Sequence, residues 1–186
     1  NFVDKDGNGE INGSDRFVIG DPNPDIYGNI FANFYFGKRW SVSANFNYSI
    51  GNDIYNFQRY MLERGSSFMN QTTAVNRRWS LEGQNTDIPK ATYNDPMGNS
   101  RFSDRWIEDG SYLKLKNVTV SYKIPIQNEY IQGITVWAAG NNLLTLSRYL
   151  GTDPEVYCGN GILMQGIDAG FLTPGRSVTL GVKVNL

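Results

Sequence analysis

The sequence predicts an all-β protein built from antiparallel strands, and two observations carry this prediction. Long segments alternate apolar with polar residues, which is the pattern of strands with one apolar and one polar face. The composition also favours strands and turns, because aromatic residues reach 13%, glycines number 20 and only 19% of residues are charged. The 186 residues suffice for one domain of ordinary size.

Residues 26–51 predict the first β-hairpin, in which 37–39 form the connection between two strands. The second of these strands has the clearest alternation in the chain. Its apolar positions are Trp40, Val42, Ala44, Phe46, Tyr48 and Ile50, and its polar positions are Ser41, Ser43, Asn45, Asn47 and Ser49. An apolar face and a polar face therefore run along the whole strand.

Residues 111–146 predict a second β-hairpin, and 176–186 predict a last strand. In the hairpin, Val118, Val120 and Tyr122 alternate with polar residues until Pro125, which cannot donate to a strand ladder. The last strand alternates in the same way through Val178, Leu180, Val182, Val184 and Leu186. We expect sequential, antiparallel pairing of five strands near 26–37, 40–51, 111–124, 134–145 and 176–186.

The connections between these strands are very unequal. Residues 52–110 and 147–175 are long and polar, and the first of them leaves room for a short helix within 64–79. In an antiparallel sheet, both connections and the segment 1–25 lie at the same end. Long loops at one end and strands of about 10 residues are typical of transmembrane β-barrels. A soluble β-sandwich has the same alternation, so periodicity leaves both architectures open.

The charge and the residue inventory exclude several kinds of site. A net charge of -1 provides no basic surface for nucleic acid. The absence of histidine excludes a Ser-His-Asp triad and a histidine-ligated zinc site, and the single cysteine, Cys158, excludes an intrachain disulfide. Because the sequence begins with Asn1 and not with methionine, we expect it to be a piece of a longer chain.

The segment from Asp4 to Asp15 has the spacing of an EF-hand calcium loop. Calcium prefers hard oxygen ligands, which carboxylates, amides and main-chain carbonyls supply. The predicted ligands are Asp4, Asp6, Asn8, Glu10 (through its main-chain carbonyl) and Asp15. Bound Ca²⁺ would have a structural role. A solvated turn without an ion is the alternative.

Two further groups of residues have both a functional and a structural interpretation. Asp104, Glu108 and Asp109 could supply paired carboxylates for glycoside hydrolysis, but neighbouring Arg101 and Arg105 favour a salt-bridged strand entry. No catalytic residue is therefore predicted. The aromatic residues in or near the long connections could stack on sugars, pack the loops together or form an interfacial girdle. These aromatics are Trp79, Tyr93, Trp106, Tyr149, Tyr157 and Phe171.

One segment, 103–122, carries a family resemblance. It reads SDRWIEDGSYLKLKNVTVSY and closely resembles a segment of the SusC/RagA-type TonB-linked transporters, which are TonB-dependent receptors. The resemblance continues in the family's order through 4–9, 19–25, 141–145, 151–155 and 179–186, so it covers nearly the whole chain. Leu186 departs from the family, which often closes with an aromatic residue.

The resemblance implies that the chain is the C-terminal part of a large transmembrane β-barrel in the outer membrane of a Gram-negative, Bacteroidota-like bacterium. Segments 1–25, 52–110 and 147–175 would be extracellular loops, and 176–186 the terminal barrel strand in contact with outer-membrane lipid. The family imports glycans or peptides with a SusD-like surface lipoprotein, and is driven through TonB by regions absent from these residues. The alternative is a secreted, calcium-stabilised, carbohydrate-binding β-sandwich. Neither is an enzyme.

Overall fold

The computed structural model describes residues 2–126, 130–155 and 164–185, which are mostly antiparallel β-structure. The chain divides into two compact units. The sheet unit comprises Pro24–Asn52, Gly110–Tyr149 and Leu172–Leu186, and the loop unit comprises Asn1–Asn23, Asp53–Asp109 and Leu150–Phe171. The strands are β1 (Ile26–Phe36), β2 (Trp40–Ile50), β3 (Asp53–Asn56), β4 (Ile107–Asp109), β5 (Tyr112–Ile124), β6 (Gly133–Ser147), β7 (Ile167–Asp168) and β8 (Ser177–Asn185). The helix α1 spans Phe57–Glu63.

The sheet unit is a five-stranded sheet in the order β1-β2-β5-β6-β8, and every neighbouring pair is antiparallel. This confirms the pairing that the alternation predicts. Residues directly opposite each other in antiparallel strands share a face of the sheet. The register aligns apolar residues across all five strands in one such row, which contains Phe34, Val42, Val120, Ala138 and Leu180.

The opposite face of the sheet is polar and hydrogen-bonded between strands. Asn117 donates through Nδ2 to Oδ1 of Asn141 at 2.9 Å, and Asn141 in turn donates to Oγ of Ser177 at 3.1 Å. Trp137 also lies on this face, above Gly181, where a Cβ atom would come within 2.4 Å of the indole ring. A residue larger than glycine at position 181 would therefore force the Trp137 ring to move.

The apolar face of the sheet is open. Leu180 is 77% exposed and Val182 is 65% exposed, although both point to the same side as the apolar row. In a β-sandwich these side chains would be buried against a second sheet. Within the described residues, no protein layer covers them, which agrees with the barrel interpretation and not with the sandwich.

A β-bulge interrupts the alternation in β5. Against β2 the register passes from Leu115 directly to Asn117, so Lys116 is an extra residue there. Against β6 the irregularity is different, because Asn142 and Leu143 of β6 lie between the same two paired positions. A bulge moves all the following side chains to the other face of the sheet. This explains why Leu113 and Leu115 are apolar at odd positions, whereas Val118 begins an apolar run at even positions.

The loop unit contains a small sheet in the order β4-β3-β7. The pair β3–β4 is antiparallel, whereas β3 and β7 pair in parallel through Tyr55 and Ile167. Both long connections, 52–110 and 147–175, thus contribute to one unit, as expected of loops at the same end. The parallel pair was not predicted, because a two-residue strand has no detectable periodicity.

The helical segment of the loop unit begins earlier than the sequence indicates. We expected a short helix within 64–79, but α1 ends at Glu63, and only Thr73–Arg77 within that range forms a 3₁₀ helix. The side chain of Asn56 caps α1 by accepting a hydrogen bond from the backbone N–H of Arg59 at 2.8 Å. No described helix is both long and apolar enough to cross a membrane.

The hydrophobic core of the loop unit contains Ile54, Val75, Ile88 and Trp106, and Trp106 is fully buried. Beside this core, the carboxylate of Glu108 connects three segments of the chain. It accepts hydrogen bonds from Arg59 Nη1 at 2.8 Å, from Asn56 Nδ2 at 3.2 Å and from the backbone N–H of Leu150 at 2.9 Å.

We predict that Glu108→Ala opens the loop unit locally. The substitution removes a carboxylate that is only 9% exposed and leaves its donors without this acceptor, which should cost about 2 kcal/mol of local stability. Limited proteolysis of the full-length protein measures this opening. Glu82→Ala is the matched control, because Glu82 is exposed and has no hydrogen-bond partner among the described residues. Equal protease resistance of the two variants would contradict the prediction.

We also predict that the two faces of the sheet differ in their tolerance of charge. If the apolar face meets lipid, Val182→Lys should cost about 2–4 kcal/mol near the bilayer midplane, because the ammonium group loses its hydration there. Ser43→Lys on the polar face should cost little. Unfolding of the full-length protein in bilayers measures both free energies. Equal tolerance of lysine on the two faces would show that the apolar face does not meet lipid.

Candidate functional site

The acidic loop at the start of the chain is folded by its own carboxylates. Asp4 accepts hydrogen bonds from the backbone N–H groups of Gly7 at 2.7 Å and Gly9 at 2.8 Å. Both glycines have positive φ angles, 71° and 84°, which let the backbone curl around the Asp4 carboxylate. At the end of the loop, Asp15 accepts from the backbone N–H groups of Lys5 at 2.8 Å and Asn12 at 2.7 Å.

Three carboxylates converge in this loop. One oxygen each of Asp4, Asp6 and Asp15 lie within 4.8 Å of one another, and Asp15 is buried. Hydrogen bonds from the backbone, led by that of Gly9, lower the pKa of Asp4, and those from Asn12 and Lys5 lower the pKa of Asp15. Asp4 and Asp15 are therefore anionic at neutral pH, and a cation bound beside them would relieve their repulsion.

The other two predicted ligands, Asn8 and Glu10, form hydrogen bonds within the loop. Oδ1 of Asn8 accepts from the backbone N–H of Glu10 at 2.7 Å, and the main-chain carbonyl of Glu10 accepts from Nδ2 of Asn12 at 3.3 Å. The donor set consists of carboxylate, amide and carbonyl oxygens without nitrogen or sulfur, which suits Ca²⁺ better than a transition metal. The three carboxylates thus fit the predicted ion, and calcium binding itself stays a prediction.

Glu108, one of the three carboxylates near the strand entry, makes structural contacts. Glu108 was expected to pair with the arginines beside it in sequence, but its salt bridge is to Arg59 on α1. Arg59 also binds Glu63 at 3.1 Å. Burial lowers the pKa of Arg59, but hydrogen bonds to Glu108 and Glu63 outweigh this effect and raise it. Sequence reasoning missed Arg59, because its partner lies 49 residues away.

The outer-loop aromatic residues separate into two classes. Trp106 and Tyr149 are buried, so their role is packing. Trp79, Tyr93 and Phe171 are 37%, 61% and 59% exposed. Tyr157 lies outside the described residues, as does Cys158.

Tyr93 has a neighbour that the sequence analysis did not single out. The ring of Phe68 stacks on that of Tyr93, with centroids 4.9 Å apart, and Phe68 is 92% exposed. The two residues are far apart in sequence, and the segment around Phe68 has no regular periodicity. The only feature of the sequence that could have indicated this contact is that Phe68 is a large hydrophobic residue within the mostly polar run 65–73.

Comparison with known proteins gives consistent relatives. The chain is 34% identical over 191 residues to "TonB-dependent receptor P3" of Formosa agariphila, which covers 98% of this chain and 18% of that protein. It is 25% identical over 187 residues to "TonB-dependent receptor SusC" of Bacteroides thetaiotaomicron, across 98% of this chain and 17% of that protein. The chain thus spans less than a fifth of the length of these relatives. No protein-family model matches it.

Solved structures agree with the curated relatives. The chain matches a RagAB peptide importer in the "open-open" state with a TM-score of 0.72 and 25% identity, across 88% of this chain and 17% of that chain. The match to the "closed-closed" state has a TM-score of 0.74 and 22% identity, and supports the fold alone. The five-stranded sheet is therefore part of a β-barrel. The chain belongs to the SusC/RagA family of TonB-dependent receptors, which are outer-membrane proteins of Bacteroidota, and is a partial segment of such a receptor.

Proposed function

We propose that the protein containing this chain imports glycans or peptides across the outer membrane, together with a SusD-like surface lipoprotein. TonB supplies the energy through regions outside this chain. The observation that carries the proposal is the similarity to TonB-dependent receptors over 98% of the chain, joined to a sheet whose apolar face is open. The role of this chain within the importer is to form barrel wall and outer loops, and no catalytic step is assigned to it.

The residues support transport better than hydrolysis. The best candidate for a catalytic carboxylate, Glu108, already accepts three hydrogen bonds from Arg59, Asn56 and Leu150. A general acid or nucleophile needs a carboxylate that faces substrate. A carboxylate that holds the loop unit together does not fulfil this requirement.

Uptake measurements test the import proposal. We expect deletion of the full-length receptor gene, or of TonB, to abolish growth on the imported glycan or peptide mixture as sole carbon source. A point substitution of an exposed loop residue, Glu82→Ala, is the control and should leave growth unchanged. We also expect a surface lipoprotein to co-purify with the tagged receptor. Growth that is independent of the receptor on polysaccharide hydrolysates and on peptides alike would overturn the proposal.

We further propose that the acidic loop binds one Ca²⁺ ion, in which Asp4, Asp6 and Asp15 supply carboxylate oxygens. The support is their convergence within 4.8 Å and the EF-hand spacing that also includes Asn8 and Glu10. The ion would fold the segment 4–15 into a rigid loop and has a structural role. Its absence should leave the β-sheet of the sheet unit intact.

We predict that Asp4→Asn, combined with Asp15→Asn, weakens Ca²⁺ binding by the full-length receptor at least about tenfold, because two anionic ligands are lost. Calorimetric titration with CaCl₂ measures the affinity. The control is Asp87→Asn, an exposed aspartate outside the cluster. Equal affinity of both variants, or purified receptor free of bound calcium in the presence of the ion, would contradict the proposal.

The lowered pKa values determine the pH dependence of this affinity. Because the folded-state pKa of Asp4 and of Asp15 lies below the ordinary value, both stay ionised as the pH falls to about 5. Their stabilising contribution is present above the ordinary pKa and is lost as the pH falls through the folded pKa. Calcium affinity should therefore be constant between about pH 8 and 5 and fall only in stronger acid.

A further inference from the structure

A polar recess of about 410 Å³ lies in the loop unit between two neighbouring segments, 64–67 and 93–100. Its lining includes Arg64, Ser66, Ser67, Tyr93, Asn94 and Asp95. The two segments are joined where the backbone N–H of Asn94 donates to the carbonyl of Ser66 at 3.1 Å. Gly65 makes this approach possible, because its φ of +64° is left-handed and a Cβ atom there would lie 3.2 Å from Ala91.

An aromatic ledge borders the recess. Phe68 and Tyr93 stack with their rings 27° from coplanar, and both are exposed. Two large rings left in water cost apolar hydration free energy that burial would recover. Phe68 is 92% exposed and Tyr93 is 61% exposed, so both rings are accessible to an occupant of the recess.

The polar groups of the recess are held in place but incompletely paired. Nε of Arg64 is buried and has no hydrogen-bond partner among the described residues. Asp95 is fixed by the backbone N–H groups of Asn99 at 2.8 Å and Ser100 at 2.7 Å. The Asn94 side chain has no hydrogen-bond partner in the described part of the chain. Nη2 of Arg64 contacts Oγ of Ser67 at 3.4 Å, at the edge of hydrogen-bond distance, so this group can also donate to an occupant of the recess.

The backbone at the recess is also strained. Asn94 and Asp95 have φ angles of 58° and 45°, which few residues other than glycine adopt. Consecutive left-handed residues orient the Asn94 side chain and the adjacent Tyr93 ring relative to the recess. Strain of this kind persists where the surrounding structure holds it, and it is concentrated at ligand sites.

These features together define the chemistry of an occupant. The positive charge of Arg64 and the negative charge of Asp95 balance, so the recess suits an uncharged ligand. Arg64 donates, Asp95 accepts and Asn94 does both, which matches hydroxyl groups that donate and accept. The ledge of Phe68 and Tyr93 suits a flat apolar face of C–H groups. A pyranose ring combines hydroxyl edges with such a face.

We propose that this recess binds a neutral sugar residue of a glycan, with the ring stacked on the ledge of Phe68 and Tyr93 and its hydroxyls on Arg64 and Asn94. The proposal rests on the proposed import function and chooses glycan over peptide for this site. Extended peptides are bound by adding a strand to a sheet edge or by burying side chains in apolar pockets. The lining of this recess contains no strand and is polar.

Calorimetric titration of the full-length receptor tests the site. The probes are hexasaccharides of glucose, xylose, mannose and galactose, and a tryptic digest of casein as the peptide probe. We expect at least one hexasaccharide to bind, and both Phe68→Ala and Tyr93→Ala to weaken its binding about fivefold or more. Tyr93→Phe retains the ring and should retain the affinity. Met97→Ala, which changes another exposed residue of segment 93–100, should leave the affinity unchanged.

Three outcomes overturn the sugar site. The first is that the peptide digest binds and no hexasaccharide does. The second is that Phe68→Ala and Tyr93→Ala leave the hexasaccharide affinity unchanged. The third is that these variants lose the co-purifying lipoprotein without any change in sugar affinity. In each case, TonB-dependent uptake by the unmodified receptor would leave the import proposal standing. Sugar binding without any TonB-dependent uptake would instead overturn the import proposal.

Discussion

The hydrogen-bond register of the five-stranded sheet is the constraint on which the rest of the structure depends. A shift of one residue between any two strands would move a whole set of side chains from one face to the other. The register keeps Val42, Val120 and Leu180 in one apolar row and Asn117 with Asn141 on the polar side. In contact with lipid, each backbone N–H and C=O group also needs a partner within the sheet.

This requirement extends beyond the chain itself. Among the described strands, β1 and β8 are the edges of the sheet. An edge strand presents unpaired backbone groups, and a barrel removes them by closing on itself. Since the chain spans 18% of its relative from Formosa agariphila, the closing strands belong to the rest of the receptor. The open apolar face and the unpaired edges are then two consequences of the same architecture.

The loop unit is stabilised differently from the sheet, because its connections are polar and have little periodicity. It is held together by the fully buried Trp106 and by the carboxylate of Glu108, which joins α1, β4 and the loop that begins at Leu150. Functional groups on loops need such a scaffold to keep their geometry. The acidic loop and the aromatic ledge of Phe68 and Tyr93 both belong to this unit, whereas the sheet unit presents its two faces.

The strands of the sheet were predictable from the sequence, because a period of two is a local property of the chain. The strong alternation from Trp40 to Ile50 predicted both the strand β2 and its two faces. The spacing from Asp4 to Asp15 likewise predicted which carboxylates would converge, since a short loop allows few arrangements. The resemblance of 103–122 to TonB-linked transporters identified the family before any contact was known.

Other features were decided only by the tertiary structure, because they join residues that are distant in sequence. The salt bridge of Arg59 with Glu108, the stacking of Phe68 on Tyr93 and the parallel pair of β3 with β7 leave no periodic trace in the sequence. The bulge at Lys116 lies between these two cases. The sequence shows that the apolar residues change from odd to even positions, but only the strand register shows that a bulge is the cause. Local periodicity thus determined the sheet, and long-range packing determined the loops.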